Sequence, residues 1–570
     1  MNEPGSGPSD DELPGGTGEA AGEAGPVSAA STRPAMRVAD QVARTLAAHG
    51  VTHAFGMPGG EVVTLIDALG AAGIRFVLAR HETPAAIMAA GAHAATGAPG
   101  LLVTTVGPGL ANAVNGIADA AQERVPLLVI SGCVDHAVRS RYTHQVFDQA
   151  ALLRPLVKAS FEVETEGAAA TIARAVRLAC ADPMGPVHID IAPGTAAKPG
   201  SGSAVEAPAR TLIRAVAADA SLREVQAILA GARRPLIIGG FEAVRSGAGS
   251  ALTALSEKLG APVVTTYKGK GLVCEYHSHS LGAAGLSPLA DAELLRLVRA
   301  ADVVLLAGYD PIEMRAGWLD PFSADTTVIE VSAHPADHGM HSCDVRVTGD
   351  TGQLIAALGD GLVVAHPTWA GGEPEAAKAR LRASFDPPKA WGPHAVFDAL
   401  EAKLLPDATL TVDSGAHRIL LSQRMRMQRP GALLQSAGLC TMGAAVPLAI
   451  GWASAKPGAP VIAVVGDGGF EMALGELGTI RDQKLPIVIV VMQDESLALI
   501  ELKQSQAGLA KAGVRMGATR YEAVAEAFGG HGVRVKARIE LEAALAAALA
   551  RKTFTVIVCE IKADDYADRI

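Results

Sequence analysis

The chain has 570 residues, of which 49% are hydrophobic, 19% are charged and 4% are aromatic, and its formal net charge is −10. This length suggests about three or four domains, each with material for a large buried core. The acidic balance, without a basic run or an interleaved aromatic stripe, argues against nucleic acid as a partner.

Residues 1–35 consist mostly of Gly, Pro, Ser, Ala and Glu, which predicts a disordered tail. From residue 36, predicted helices alternate with short apolar strands, as in a parallel sheet that is covered on both faces. A first unit over 36–197 opens with a helix at Val38–His49 and is followed by a linker over 194–210. Its predicted strands are Arg75–Leu78, Gly100–Thr105, Pro126–Ser131 and Val187–Ile191.

Two further units repeat the same alternation of strands and helices. The second covers 212–363, residues 364–392 have the composition of another linker, and the third covers 392–570. We therefore predict an α/β protein with three doubly wound parallel-sheet domains. The predicted strands are Pro235–Ile238, Pro262–Thr265, Val303–Ala307 and Thr327–Val331 in the second unit, and Thr409–Val412, Val461–Val465, Ile487–Met492 and Thr555–Glu560 in the third.

A glycine-rich turn follows a buried strand in the third unit, at Gly466-Asp467-Gly468-Gly469. Glycines at the carboxyl end of a strand let backbone N–H groups approach a phosphate, and the following helix N-terminus favours its negative charge. The alternative is an ordinary tight turn in which the Asp caps the helix.

The next strand favours a metal site. Asp494 comes directly after it, and neighbouring parallel strands bring their carboxyl ends to the same edge of a sheet. Asp467 and Asp494 would then lie about one strand apart and could hold Mg²⁺ together with phosphate oxygens.

The GDG turn and the later polar pair Gln493-Asp494 resemble the motif of thiamine diphosphate (ThDP)-dependent enzymes, GDG followed by NN or ND. The resemblance implies that Gly466, Asp467, Gly468 and Gly469 contact the diphosphate. It also implies Mg²⁺ bound by Asp467, Asp494 and the backbone carbonyl of Ser496. Gln493 stands where the family usually has Asn, but this position does not bind the metal.

The first unit carries a second resemblance, at Arg80-His81-Glu82 and the Ala-rich stretch after it. It is similar to the acetohydroxyacid synthase pattern, which implies that Glu82 protonates N1′ of the cofactor's aminopyrimidine. The alternative is an acidic residue that stabilises a helix N-terminus.

Two glycine turns of the first unit also match the family. Phe55–Gly60 resembles its FG.PGG turn, and Thr105–Asn112 resembles its TSGPG segment. The matches imply that Pro58, Gly59, Gly107 and Asn112 pack against the cofactor, at an interface between subunits.

Within the family, the chain most resembles acetolactate synthase of the catabolic, FAD-independent type, on the residues Gly308–Glu313, Asp413–His417 and Cys440–Gly443. The resemblance implies diphosphate contacts for Gly415, Ala416 and His417. It implies that the Cys440 carbonyl accepts from N4′, and that Met442 forces the cofactor into a V shape. Core packing is the alternative for Met442.

Three positions bear on the substrate. Gln145 matches the Gln that reaches the active site of the neighbouring subunit. His144 replaces Phe and could relay a proton, or could be a surface or packing residue. Lys503 stands where biosynthetic acetohydroxyacid synthases carry the Trp that favours 2-oxobutyrate, and the central unit lacks the RFDDR stretch of FAD-binding members. FAD is therefore not expected.

These resemblances imply decarboxylation of a 2-oxo acid, with pyruvate the expected donor, and carboligation to a second carbonyl in a homodimer or homotetramer. A 2-oxo acid decarboxylase, a C–C lyase on a specialised substrate, and a non-catalytic ThDP-fold protein stay open as alternatives. Six cysteines without CxxC spacing, the absence of a signal peptide and the lack of any long apolar run favour a cytoplasmic protein that does not bind membranes.

Overall fold

A computed structural model describes residues 36–200, 219–335, 338–386, 390–567 and 569–570. Within these ranges the chain forms three six-stranded sheets, and their strands pair in parallel. Helices cover the sheets, which confirms the predicted fold of three α/β domains. The predicted tail over 1–35 and the part of the first predicted linker over 201–210 lie outside the described residues.

The first sheet has the strand order β2-β1-β3-β4-β6-β5. Its strands are β1 (His53–Gly56), β2 (Arg75–Leu78), β3 (Gly100–Thr104), β4 (Leu127–Gly132), β5 (Ser160–Glu162) and β6 (Val187–Ile191). The helices are α1 (Val38–Ala48), α2 (Val63–Ala71), α3 (Glu82–Thr96), α4 (Pro108–Gln122), α5 (His136–Arg139), α6 (Gln149–Leu153), α7 (Ala168–Cys180) and α8 (Pro193–Ala197), with a 3₁₀ turn at Gly60–Val62.

The central sheet has the different order β12-β11-β10-β7-β8-β9. Its strands are β7 (Pro235–Gly239), β8 (Val263–Thr266), β9 (Ser280–Ala284), β10 (Val303–Ala307), β11 (Thr327–Ser332) and β12 (Val345–Thr348). The helices are α9 (Ala220–Gly231), α10 (Phe241–Arg245), α11 (Gly249–Leu259), α12 (Pro288–Ala300), α13 (Thr351–Gly359) and α14 (Glu373–Ser384), with 3₁₀ turns at Pro311–Glu313 and Ala316–Trp318.

The third sheet has the order β14-β13-β15-β16-β18-β17, which repeats the topology of the first. Its strands are β13 (Thr409–Val412), β14 (Leu433–Gln435), β15 (Val461–Gly466), β16 (Val488–Gln493), β17 (His531–Val535) and β18 (Thr555–Glu560). The helices are α15 (Pro393–Lys403), α16 (Ala416–Arg424), α17 (Ala445–Ala455), α18 (Asp467–Ala473), α19 (Glu476–Asp482), α20 (Ala498–Gln506), α21 (Tyr521–Ala527) and α22 (Arg538–Leu549), with a 3₁₀ turn at Ala563–Tyr566.

The inner strands are continuous apolar runs because helices cover both of their sides. Every residue of β3 and β4 is buried, and the same holds for β16. Burying one large aliphatic side chain contributes about 1.5–3 kcal/mol relative to leaving it exposed, so these strands anchor the cores.

The two predicted linkers contain helices. Helix α8 follows directly on β6, and Ala196 buries its side chain there. Helix α14 lies inside the predicted second linker, and Pro374 is in its first turn. The helix buries Ala377 and Leu381 against α12. The high content of Pro, Gly and charge hid an amphipathic helix in this segment.

The first and third domains are joined through a close helix crossing. Helix α3 packs on α17, and a Cβ added at Gly451 would lie 1.9 Å from the carbonyl oxygen of Met88. A Cβ added at Gly91 would lie 2.4 Å from the carbonyl oxygen of Leu448. Small residues therefore let the two backbones touch, and the two domains share one hydrophobic core. None of the helices in the described ranges is long and apolar enough to cross a membrane.

Candidate active site

The two predicted metal carboxylates lie at neighbouring strand ends of the third sheet. Strands β15 and β16 pair in parallel with Gly466 opposite Met492. Asp467 directly follows β15 and is buried, whereas Asp494 directly follows β16 and is half-buried. Sheet topology alone thus brings the two carboxylates to one edge.

Backbone hydrogen bonds fix this pair. One carboxylate oxygen of Asp467 accepts from the backbone N–H groups of Asp494, at 3.1 Å, and Glu495, at 2.6 Å. Asp494 in turn accepts from the backbone N–H of Ser496 at 3.0 Å, and Glu495 adopts a left-handed φ of 57°. This tight turn holds the backbone of Ser496 next to both carboxylates.

Burial and proximity disfavour a negative charge on both carboxylates at once. Burial raises the pKa of Asp467. Burial, and then the negative charge of Asp467, raise the pKa of Asp494 to about 8. Two carboxylates that disfavour each other's charge fit a bound divalent cation, which would remove the repulsion, and oxygen ligands suit Mg²⁺.

A glycine-lined cradle lies beside this pair, with the buried His417 ring against its glycines. A Cβ added at Gly466 would lie 3.1 Å from Cε1 of His417, and one added at Gly415 would lie 2.7 Å from the same atom. His417 is 5% exposed, and its Nε2 has no hydrogen-bond partner within the described part of the chain. Burial lowers the pKa of His417 to about 3, so the ring is a neutral donor or acceptor there. An unsatisfied ring nitrogen at a glycine-lined helix start fits a diphosphate.

Asp413 ties this cradle together, although the sequence analysis did not single it out as a site residue. It directly follows β13, is fully buried and accepts from the backbone N–H groups of Gly443, at 3.0 Å, and Ala444, at 2.9 Å. A Cβ at Gly469 would lie 1.7 Å from its carboxylate, so only glycine fits at that position. Burial raises the pKa of Asp413 to about 6. Asp413 directly follows a buried strand, as Asp467 and Asp494 do. This position in the sequence was the signal that could have identified Asp413 as a site residue.

Cys440 and Met442 lie on the loop that leads into α17. Cys440 has a left-handed φ of 60°, which is strained for a residue with a side chain and turns its carbonyl away from the usual direction. The terminal methyl of Met442 would lie 3.6 Å from a Cβ added at Gly468, so the Met442 side chain reaches the Gly466–Gly469 turn. The loop and the turn therefore form one continuous surface.

The position of Gln493 explains why it can differ from the family. Its side chain is buried, accepts from Arg534 at 2.7 Å and donates to the carbonyl of Thr519 at 3.1 Å. These partners hold it within the domain. Lys503 lies exposed on α20, the helix that follows the metal turn.

Glu82 lies at the carboxyl edge of the first sheet, as the first residue of α3 after β2. It is 5% exposed, and one of its carboxylate oxygens accepts from the side-chain amide of Asn112 at 3.1 Å. Its other oxygen would lie 3.4 Å from a Cβ added at Gly109. The structure therefore brings together the Glu and the Asn that two separate motifs had predicted.

The glycine turns of the first domain also meet. A Cβ at Gly59 would lie 2.1 Å from the hydroxyl of Thr105, so this turn, which also contains the exposed Pro58, lies directly against the Gly107 turn. The N–H of Gly107 donates to the buried side chain of Gln149 at 2.9 Å. Gln149 is a supporting residue that no motif indicated.

Gln145 and His144 lie on an exposed segment beside this turn. The carbonyl of Gln145 would lie 2.3 Å from a Cβ added at Gly107, and Gln145 has a left-handed φ of 58°. Both side chains are exposed in the single chain, and the His144 ring packs edge-on against Tyr142, with 6.4 Å between the ring centroids.

Within one chain, the structure does not link Glu82 directly to the third-domain residues of the candidate site. Among the described residues, Glu82 has no hydrogen bond to the Cys440–Gly443 loop or to the Gly466–Gly469 turn; its hydrogen-bond partner is Asn112. Each chain therefore presents one edge with the buried Glu82 and another with the Asp467–Asp494 pair, and the described residues show no direct hydrogen bond between them.

Comparisons with known proteins identify the family of this chain. Models of the thiamine pyrophosphate (TPP) enzyme family match three stretches: the N-terminal TPP binding domain over residues 36–152, the central domain over 222–358 and the C-terminal TPP binding domain over 413–559.

Curated relatives match nearly the whole chain. The acetolactate synthase of Bacillus subtilis (strain 168) is 30% identical over 545 residues, which cover 94% of this chain and 94% of the relative. The acetolactate synthase isozyme 3 large subunit of Escherichia coli (strain K12) is 29% identical over 530 residues, covering 90% and 92%. The acetolactate synthase large subunit of Parasynechococcus marenigrum (strain WH8102) is 32% identical over 539 residues, covering 90% and 86%. The chain therefore belongs to the thiamine pyrophosphate enzyme family and is a ThDP-dependent, acetolactate synthase-like enzyme.

Proposed function

We propose that this enzyme decarboxylates pyruvate and joins the remaining two-carbon unit to a second pyruvate, which yields 2-acetolactate. The observation that supports this most directly concerns two sheet edges. A buried Glu82 lies at the carboxyl edge of the first sheet, and the Asp467–Asp494 pair lies at the equivalent edge of the third sheet. The relatives that match nearly the full chain are named acetolactate synthases.

We propose that Asp467, Asp494 and the carbonyl of Ser496 hold Mg²⁺, which in turn holds the cofactor's diphosphate. The glycines of the Gly466–Gly469 turn allow backbone N–H groups to approach the phosphates, and the Gly415–His417 turn supplies further contacts. The neutral His417 ring, with its free Nε2, would bond a phosphate oxygen.

Bound ThDP supplies an electron sink that stabilises the carbanion left when a 2-oxo acid loses carbon dioxide. In this scheme Glu82 holds a proton at N1′ of the pyrimidine, and Asn112 orients the Glu82 carboxyl group. When ThDP is bound, the carbonyl of Cys440 would accept from N4′ and the Met442 side chain would support the cofactor. Pro58, Gly59 and Gly107 would hold the pyrimidine half.

We further propose that the active unit is at least a homodimer, in which Glu82 of one subunit meets the metal edge of another. Exposed apolar side chains border both edges. They are Val138, Tyr142, Val146 and Phe147 beside Gln145 in the first domain, and Leu439, Met472 and Ile500 beside the metal turn in the third. Burying these two patches against each other would bring Gln145 and His144 to the partner's site.

The test is incubation of the purified protein with pyruvate, ThDP and Mg²⁺, with quantification of carbon dioxide, acetolactate and acetaldehyde. Acetolactate as the main organic product supports the proposal. Acetaldehyde as the main product would instead make the chain a 2-oxo acid decarboxylase, a role for which the exposed His144 could supply a proton.

A further inference from the structure

Polar residues follow one face of α4 at four-residue intervals: Asn115 and Asp119 within the helix, and Glu123 as the residue that caps its C-terminus. Residues four apart lie on the same side of a helix, so these three side chains form a stripe. The stripe belongs to the first domain but faces the Ser436–Gly443 loop of the third domain. Asp119 is 4% exposed and Glu123 is 6% exposed, so the contact is buried.

Asp119 ties the two ends of the loop to each other. The Ser436 hydroxyl donates to the Asp119 carboxylate at 2.5 Å, and the same hydroxyl accepts from the backbone N–H of Thr441 at 2.9 Å. The Thr441 hydroxyl donates to the side chain of Asn115 at 3.2 Å. The Ser436 hydroxyl, which donates to the Asp119 carboxylate, therefore links the two ends of the loop, and Arg418 adds hydrogen bonds to the Ser436 carbonyl and the Cys440 sulfur from within the third domain.

Glu123 holds the middle of the same loop. One of its carboxylate oxygens accepts from the backbone N–H groups of Ala437, at 2.7 Å, and Gly438, at 2.6 Å. Its other oxygen lies 3.0 Å from the ammonium group of Lys268, which belongs to the central domain. All three domains thus meet at this carboxylate.

Joining domains through two buried carboxylates costs free energy, because both groups lose contact with water. Burial, and then the negative charge of Glu123, raise the pKa of Asp119 to about 6. A well-packed apolar contact would join the same surfaces without desolvating two acids. Carboxylates that accept several backbone N–H groups do, however, fix a backbone more sharply than apolar packing does.

We propose that Asp119 and Glu123 are positioning residues that set the Ser436–Gly443 loop, and through it the Cys440 carbonyl and the Met442 side chain, for the pyrimidine half of ThDP. The left-handed Cys440 needs such support, because its conformation is strained and persists only where its surroundings hold it. This inference rests on the proposed function, which assigns the cofactor contacts of Cys440 and Met442.

The test compares Asp119→Leu, which replaces the acceptor with a larger apolar side chain, with Asp119→Asn, which has nearly the same shape as Asp and keeps an acceptor oxygen. Asp291→Leu is the matched control, because Asp291 is also buried, has a pKa raised to about 6 and holds a loop through the N–H of Gly285, but in the central domain. Calorimetric titration of each cofactor-free protein with ThDP and Mg²⁺ gives the dissociation constant. Near-ultraviolet circular dichroism then reports the geometry of the bound pyrimidine.

We expect Asp119→Leu to weaken ThDP binding about tenfold and to change the dichroism of the bound cofactor. Asp119→Asn should stay within about threefold of the parent, and Asp291→Leu should leave both readouts unchanged. Unchanged binding and dichroism in Asp119→Leu, or an equal change in Asp291→Leu, would overturn the proposal. If Asp119→Leu does not fold, Ser436→Ala decides in the same way, because it removes the bridging hydroxyl alone. A parent protein that fails to bind ThDP would instead refute the proposed function.

Discussion

The first and third domains have the same strand order, yet their carboxyl edges carry different chemistry. The first edge presents a single carboxylate, Glu82, with an amide partner and glycine turns around it. The third presents the Asp467–Asp494 pair beside a glycine cradle and an unsatisfied His417 nitrogen. One topology thus carries a single buried carboxylate at one edge and a carboxylate pair at the other, which we propose handle a proton and a metal ion, because side chains at strand ends can change without altering the sheet.

The comparison predicts that a mutation in the first edge affects rate and a mutation in the third affects binding. Glu82→Gln should lower kcat about 10²- to 10⁴-fold, because the side chain can no longer supply an acidic proton. ThDP affinity should change little. Steady-state kinetics and ThDP titration separate the two effects. Glu242→Gln, in the central domain, is the control and should match the parent. Retention of full activity by Glu82→Gln would remove the distinction between the edges.

The counterpart in the third domain is Asp467→Asn, which removes one charged ligand. Apparent affinity for Mg²⁺ should fall by at least about 100-fold, since even residues that only orient metal ligands often contribute 10- to 100-fold. Calorimetric titration with Mg²⁺ in the presence of ThDP measures this. Gln493→Asn is the matched control, because Gln493 adjoins Asp494 but bonds Arg534 and Thr519. An equal loss in both variants would contradict the metal assignment.

The Asp467–Asp494 edge should also respond to pH. In the metal-free protein the pKa of Asp494 is raised to about 8 from an ordinary 3.8, so a cation must displace a proton. Mg²⁺ affinity should therefore increase by up to about tenfold per pH unit below pH 8 and level off above it. Over the same range the folded, metal-free state holds a proton that the unfolded chain has released, so its stability falls as pH rises from about 4 to 8.

Mg²⁺ titrations on both sides of about pH 8 check the first effect, and denaturant unfolding without metal checks the second. Asp494→Asn lacks the titrating group and should flatten both pH dependences. A slope that persists in this variant would assign the proton to another residue.

The smallest expected effect concerns the contact that joins the two domains. Gly451→Ala would place a Cβ 1.9 Å from the Met88 carbonyl, which forces α3 and α17 apart. Overpacking of this kind typically destabilises by about 1–3 kcal/mol. Scanning calorimetry should show a lower unfolding temperature. Gly70→Ala, in α2 with open space around it, should be neutral or slightly stabilising. A Gly451→Ala protein as stable as the parent would mean that α3 and α17 can move apart without a loss of stability.

Most of the fold was predictable from apolar runs, and five of the six strands that were missed lie at sheet edges. Strands β5, β9, β12, β14 and β17 lie at the edges of their sheets, and β1 is the short neighbour of an edge strand. Edge strands are covered on fewer sides, so their sequences need fewer apolar residues. The burial of β12, for example, alternates between half-buried and exposed. Such segments do not stand out as buried runs.

The sequence by itself determined the chemistry at strand ends. Local motifs predicted Glu82, Asp467 and Asp494, because parallel topology brings the ends of neighbouring strands to one edge whatever the rest of the chain does. Only the tertiary structure revealed the role of Asp413 as a clamp on Gly443 and Ala444, and the α4 stripe that holds the Ser436–Gly443 loop. Their partners lie about 30 residues away for Asp413 and more than 300 residues away for the stripe. Such contacts depend on how domains pack, which no local pattern encodes.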